Sequence, residues 1–146
     1  MIEVKFVMAE GCDDLVPFRA NPGDAGFDLR SREHISLAPG ERHLIKTGLF
    51  LELPAYYEAQ VRPRSGLAYK HGITVVNAPG TIDEGYRGEV GVILLNTDKD
   101  NAFDIKRGER IAQMIIQKLP EVTLIQVDEL SDTERGAGGF GSSGRS

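Results

Sequence analysis

One cysteine, Cys12, stands alone in 146 residues. A disulfide framework and a thiolate metal cluster are both excluded, and a reducing compartment fits. No apolar run approaches the length of a membrane span, and Met1-Ile2-Glu3-Val4-Lys5 lacks the layout of a secretory leader. The expected location is the cytoplasm, or the nucleus if the source is eukaryotic. Positive charge is also scarce, with a net charge of −5. That argues against a general nucleic-acid or anionic-membrane surface, yet a few arginines can still converge on one polyanionic ligand. His34, His43 and His71 are scattered and form no metal-binding spacing. No Gly-Lys-Ser/Thr sequence is present, so there is no Walker loop. No internal repeat is visible.

What the chain has in quantity is punctuation. It carries 17 Gly and 7 Pro between short apolar runs, which favours an all-β fold over a helical one. Its length suits one domain with a real core. Ile2, Val4, Phe6 and Met8 alternate with polar or small residues and predict a first strand. Short extended stretches follow at 27–31 and 34–37, the second closed by Ala38-Pro39-Gly40. A longer strand is expected over 42–53, bent at Gly48, and another over 56–62, ending before Pro63. Ser65 to Lys70 predicts one or two helical turns, stopped by Gly72. Further strands are expected at 73–76, 103–105 and 110–118, where the β-branched Ile111, Ile115 and Ile116 decide against helix. Val122, Leu124 and Gln126-Val127 read as the last strand. Val90 to Leu95 is apolar without alternation, so it predicts a strand covered on both faces, by a sandwich interior or by another subunit. About ten such strands point to a sandwich or barrel of jelly-roll type.

The stretch from Asn77 to Glu89 is the densest in turn signals. Pro79-Gly80 suits the two central positions of a type II turn. Gly85 and Gly88 allow two more bends. Val75-Val76 leads in and Val90 leads out, so the whole predicts a β-hairpin with an elaborated tip that carries Asp83. From the residues alone this is either a decorated turn with a solvated aspartate or a rigid support for a base. Arg64-Ser65-Gly66 is similarly open. It reads as a surface turn with a helix cap, or as backbone N–H groups and a hydroxyl facing an anion. From Ser131 onward the chain is polar and Gly-rich and should be flexible by itself. Arg135 and Phe140 break that pattern, and a cation and a ring in a flexible tail suit a ligand with phosphates and a base.

Five segments, taken together and in order, resemble the signature motifs of the homotrimeric deoxyuridine triphosphate nucleotidohydrolases (dUTPases). They are Asp24-Ala25-Gly26-Phe27-Asp28-Leu29, Pro63-Arg64-Ser65-Gly66-Leu67-Ala68, the stretch Asn77 to Glu89, Arg107-Gly108-Glu109-Arg110-Ile111-Ala112-Gln113, and Arg135-Gly136-Ala137-Gly138-Gly139-Phe140-Gly141-Ser142-Ser143-Gly144. The resemblance spans nearly the whole chain. It implies a distorted jelly roll over residues 1–130, with residues 131–146 as a flexible tail closing over the active site.

It also implies roles. Asp83 would be the base that activates a water for attack on the α-phosphorus of dUTP, giving dUMP and pyrophosphate. That would supply dUMP for dTMP synthesis and keep uracil out of DNA. Arg64, Ser65, Gly66, Gln113, Arg135, Ser142 and Ser143 would contact phosphates. Asn77, Gly80, Thr81, Ile82, Asp83, Tyr86, Phe140 and Gly141 would surround base and sugar, with Tyr86 under the deoxyribose and Phe140 stacked on uracil. The implied cofactor is Mg²⁺, met by Asp28 through water. The implied partners are the substrate and two further copies of the chain, with active sites shared between subunits and neither nucleic acid nor membrane bound. Two other readings share the fold. One is a dCTP deaminase-like enzyme, against which Thr81-Ile82-Asp83 followed by Gly85-Tyr86 follows the hydrolase pattern. The other is a non-catalytic trimeric binding module, which predicts a degraded base or tail, whereas Asp83, Arg135 and Phe140 are all present.

Overall fold

Turns every few residues cut this chain into strands too short to stand alone, so they pair across long sequence distances. The computed structural model describes residues 1–146. In chain order the elements are β1 (Lys5–Met8), β2 (Phe27–Arg30), β3 (Ile35–Leu37), β4 (Arg42–Glu52), β5 (Tyr57–Arg62), α1 (Ser65–His71), β6 (Ile73–Val75), β7 (Gly80–Ile82), β8 (Glu89–Asn96), β9 (Phe103–Ile105) and β10 (Arg110–Lys118). One sheet has the order β1-β4-β8-β6, a second β2-β10-β5-β7, and β3 pairs with β9 in a third. Inward residues of all three meet in one core. Ile45, Val92 and Leu94 come from the first sheet, Leu29, Val61 and Ile111 from the second, and Leu37 and Ile105 from the third. Fully burying such a side chain contributes about 1.5–3 kcal/mol. The result is the distorted jelly roll expected, with open sheets. The only α-helix is seven residues long, and no helix is long and apolar enough to cross a membrane.

Local rules explain several elements. β4 bends at Gly48, whose φ of 75° favours glycine. A Cβ there would stand 2.9 Å from both Cβ and Sγ of the buried Cys12. α1 stops at Gly72, which turns left-handed at φ 65° and donates to the carbonyl of Ala68. Pro39-Gly40 makes a tight turn, with Gly40 at φ 76° and Glu41 N–H bonded to the Ala38 carbonyl at 3.0 Å.

Four expectations need correction. Pro79-Gly80 is not a type II turn. The Ala78-Pro79 bond is cis, and Gly80 does not take positive φ but opens β7. The hairpin therefore forms between β6 and β8, with Val75 opposite Leu94, while its tip crosses to the other sheet and pairs with β5. β8 is not covered on both faces within one chain. It alternates, with Val90, Val92, Leu94 and Asn96 buried and Gly91, Ile93 and Leu95 half-buried. Val122 to Val127 forms no strand, and regular structure ends at Lys118. The segment pairs with no strand of this chain, and Val122, Leu124, Ile125 and Val127 stay exposed. The first strand is also shorter than expected, beginning at Lys5.

Arg107 closes the molecule at one edge. Its guanidinium donates to both carboxylate oxygens of Asp14, at 2.7 and 2.8 Å, and to the Gly11 carbonyl at 2.8 Å. The hydrogen bond from Arg107 is the main reason that the Asp14 carboxyl titrates below its ordinary value of 3.8. A lowered carboxylate stabilises the fold above its unfolded pKa, and the gain is lost as pH falls through the native value. Asp14→Asn should therefore melt slightly below the parent at about pH 6, with the gap closing toward about pH 3. Melting curves across that range check it, and a gap that widens on acidification contradicts it.

Candidate active site

β5 serves two groups of residues, one at its end and one by pairing. At its end Pro63 has no N–H to continue the ladder. Arg64 is extended, at φ −91° and ψ 128°, and α1 begins at Ser65. The first donor inside the helix is Ala68, bonded to the Arg64 carbonyl at 3.0 Å. The N–H groups of Ser65, Gly66 and Leu67 therefore have no helical acceptor. Ser65 and Gly66 are exposed.

Sheet register brings two further segments beside them. Gln113 on β10 lies opposite Asp28 on β2 and opposite Arg62 on β5. Its side-chain amide donates to the Pro63 carbonyl at 3.0 Å. Gly26 leaves room for it, since a Cβ there would lie 2.8 Å from Gln113 Oε1. Asp28 sits between two arginines, with Oδ2 3.1 Å from Arg110 Nη1 and Oδ1 3.8 Å from Arg64 Nε. Arg64 also donates to the Arg110 carbonyl at 3.0 Å. Arg30, Arg64 and Arg110 line one cavity of about 440 Å³, facing Asp104 and Glu109. Cations exceed carboxylates in that lining, which suits an anion.

The second group lies along β7. Gly80 and Ile82 are buried, the latter in the core, whereas Thr81 and Asp83 are exposed. Asn77, Thr81, Asp83 and Tyr86 line a groove of about 240 Å³, with Leu44 and Ile93 on its apolar side. The turn beyond Asp83 is pinned in several places. Tyr86 N–H donates to the Asp83 carbonyl at 3.1 Å, and Arg87 donates to the Glu84 carbonyl at 2.6 Å. The Glu84 carboxylate accepts the backbone N–H of Tyr56. The Tyr86 hydroxyl donates to the Glu89 carbonyl at 3.1 Å.

The tail joins neither group. Arg135 Nε donates to the Gly138 carbonyl at 2.8 Å, and the tail's backbone bonds also stay within it. Phe140, Gly141, Ser142 and Ser143 are exposed. The two groups in the body are also apart. The pairing of Ala59 with Ile82 sets Asp83 level with Glu58, and Arg64 lies six residues further along the strand direction. At about 3.3 Å per residue that is about 20 Å.

The dUTPase family model matches residues 15–144. This chain belongs to the dUTPase family. It is 57% identical over 129 residues to the deoxyuridine 5'-triphosphate nucleotidohydrolase of Thermobifida fusca (strain YX), covering 88% of this chain and 72% of that one. It is 56% identical over 132 residues to the enzyme of the same description from Clostridioides difficile, covering 90% and 92%. The dUTPase of Staphylococcus bacteriophage 80alpha, solved with dUPNHPP, superimposes with a TM-score of 0.89 at 29% identity, over 99% of this chain and 100% of that one. The chain is accordingly a dUTP diphosphatase, an enzyme that hydrolyses dUTP.

Three residues of this dUTPase were not singled out from sequence. Arg110 pairs with Asp28, Gly26 makes room for Gln113, and the Pro63 carbonyl orients it. All three lie inside motif segments, but their contacts follow from strand register, which the motif spacing does not carry. Gly26→Ala should push the Gln113 side chain aside. If Gln113 contacts substrate, as the resemblance implies, kcat/KM for dUTP should fall about tenfold or more, with little change in Tm. Unchanged kcat/KM would mean that the place of Gln113 does not matter.

Proposed function

We propose that Asp83 is the general base of a Mg²⁺-dependent attack of water on the α-phosphorus of dUTP. The observation that carries this reading is its position, exposed at the mouth of the groove that Asn77, Thr81 and Tyr86 line, on backbone held by two sheets. Asp83 accepts a proton from the water. The water oxygen bonds to the α-phosphorus while the bond from that phosphorus to the bridging oxygen of the β-phosphate breaks. Pyrophosphate leaves and dUMP remains. Positioning and charge neutralisation do most of the work in such chemistry, so an ordinary carboxylate is a sufficient base.

The groove reads the nucleoside. Uracil offers an acceptor–donor–acceptor edge to backbone groups near Asn77, Gly80 and Thr81. Cytosine would oppose donor to donor, which discriminates by orders of magnitude. Tyr86 packs against C2′ and leaves no room for a ribose hydroxyl, while thymine is rejected by closure over C5. Arg64, the free N–H groups of Ser65 and Gly66, and Gln113 take the phosphates. Arg135, Ser142 and Ser143 of the tail neutralise the far phosphates, and Phe140 beside Gly141 covers the base.

The residues fit a magnesium ion met through water. Asp28 is a lone carboxylate held between Arg64 and Arg110, and no group of three or more His, Cys, Asp or Glu side chains offers direct chelation. Mg²⁺ keeps most of its waters and binds through substrate phosphates. Asp28 would accept a hydrogen bond from one of those waters. The ion, when bound, supplies neutralising charge on the phosphate oxygens.

The same reading makes the active site a shared one. A triphosphate is shorter than the distance of about 20 Å along β5 between Asp83 and Arg64. One molecule of dUTP therefore meets the groove of one chain and the phosphate residues of another, in a closed homotrimer. The half-buried outer face of β8 supports such an assembly. We assign the enzyme to the cytoplasm, on its lone, buried Cys12.

Two experiments test the proposal. Asp83→Asn keeps the shape and removes the proton acceptor. It should lower kcat by roughly 10²–10⁴ with dUTP still bound. Turnover at the parent rate would remove Asp83 from the role of base. The shared site is tested by mixing two dead variants, Asp83→Ala with an intact tail and a chain ending at Thr133 with Asp83 intact. After unfolding and refolding together in equal amounts, roughly a quarter of sites should combine an intact groove with a tail from another chain. Background activity in trimers shown to be mixed would mean that the tail acts on its own subunit.

A further inference from the structure

Tyr86 is held from behind by groups that the reaction does not touch. Its ring lies against Gly88, where a Cβ would come within 3.0 Å of the phenol oxygen and two ring carbons. Its hydroxyl donates to the Glu89 carbonyl at 3.1 Å. Glu89 is in turn fixed through its side chain. One carboxylate oxygen accepts from Arg32 Nη1 at 2.9 Å and from the backbone N–H of Gly48 at 2.8 Å.

The second of those bonds comes from a slip in the β4–β8 ladder. Lys46 faces Gly91 and Phe50 faces Glu89, so Thr47, Gly48 and Leu49 share the single partner Val90. A bulge leaves backbone groups without ladder partners. Thr47 supplies one replacement, its hydroxyl donating to the Val90 carbonyl at 2.6 Å, and Glu89 supplies the other. Arg32 is anchored as well, with its own N–H on the Lys46 carbonyl at 2.9 Å. The Arg32 and Glu89 side chains are only 32% and 20% exposed, which shields the pair from water and salt. Glu89 and Tyr86 line the groove that also holds Asp83.

We propose that Gly88, Glu89 and Arg32 are positioning residues for Tyr86, and that rejection of ribonucleotides depends on this brace from the bend of β4 to the phenol ring. The proposal rests on the reading of Tyr86 as the group packed against C2′. A hydroxyl is excluded only where the opposing surface cannot yield, so a ring fixed at its tip and along its face discriminates where a mobile ring does not. Glu89 fixes the tip, Gly88 allows the close approach, and Arg32 holds the carboxylate whose backbone carries the acceptor.

The test compares kcat/KM for dUTP and UTP, with Tm, in Tyr86→Ala, Tyr86→Phe, Gly88→Ala, Arg32→Ala and Arg32→Lys. The dUTP/UTP ratio should fall about tenfold in Gly88→Ala, in the range expected for a pocket misfit. It should fall by a smaller factor in Tyr86→Phe and Arg32→Ala, and recover in part in Arg32→Lys. A brace that matters only for folding would lower Tm and depress both substrates alike, with the ratio unchanged, and that outcome overturns the proposal. Tyr86→Ala separates the two readings. If it lowers the ratio while the brace variants keep the parent ratio, the brace is wrong and the role of Tyr86 stands. If Tyr86→Ala leaves the ratio unchanged, both fall. Should Gly88→Ala fail to fold, Tyr86→Phe decides, because it removes one oxygen and keeps the ring.

Discussion

Three residue pairs between β5 and β7 hold the hairpin tip on the second sheet. They are Ala59 with Ile82, Gln60 with Thr81, and Val61 with Gly80. The stems of the hairpin, β6 and β8, belong to the first sheet. The segment from Asn77 to Glu89 is therefore held at its two ends by one sheet and at its tip by the other, and cannot swing as an ordinary loop does. Burial of Ile82 fastens the tip from below, and the bond from Tyr56 to Glu84 fastens it from the side. Asp83 is exposed yet adjoins the paired strand β7, and its carbonyl accepts the N–H of Tyr86. For the proposed role of Asp83 as base, a carboxylate aimed in advance costs no reorganisation when the substrate arrives.

The same strand separates charge from the groove. Arg64 and Arg110 converge on one region and would repel each other in the absence of a counter-charge. Asp28 stands between them, and the register of β2 against β10 puts it there. The arginines are thus kept in place without ligand. The tail has no such restraint. It is rich in glycine, makes bonds only within itself, and carries its aromatic ring in solvent. Ordering it over a ligand would cost conformational entropy, which contacts from Arg135 and Phe140 would have to offset.

Several elements were legible because their causes are local. The bend at Gly48 and the stop at Gly72 follow from the sign of φ that glycine alone accepts readily. The strand at Arg110–Lys118 follows from its β-branched residues, and the helical turns expected from Ser65 end within a residue of where α1 does. The family was legible by resemblance, and it is established by similarity along most of the chain.

What sequence could not decide was partnership. Pro79-Gly80 carries the composition of a type II turn, yet Gly80 is drawn into a strand by Val61, nineteen positions earlier. Val122 to Val127 has the composition of a strand and no partner in the chain, so Leu124 remains 93% exposed. Val90 to Leu95 reads as covered twice; its own chain buries one face and leaves the other half-buried. Local sequence determined where the backbone bends and which stretches are extended, since φ preference and side-chain branching act within a residue or two. Tertiary structure alone decided that Asp28 faces Gln113 and that Asp83 stands far from Arg64, since strand register is set by hydrogen bonds and packing between distant segments.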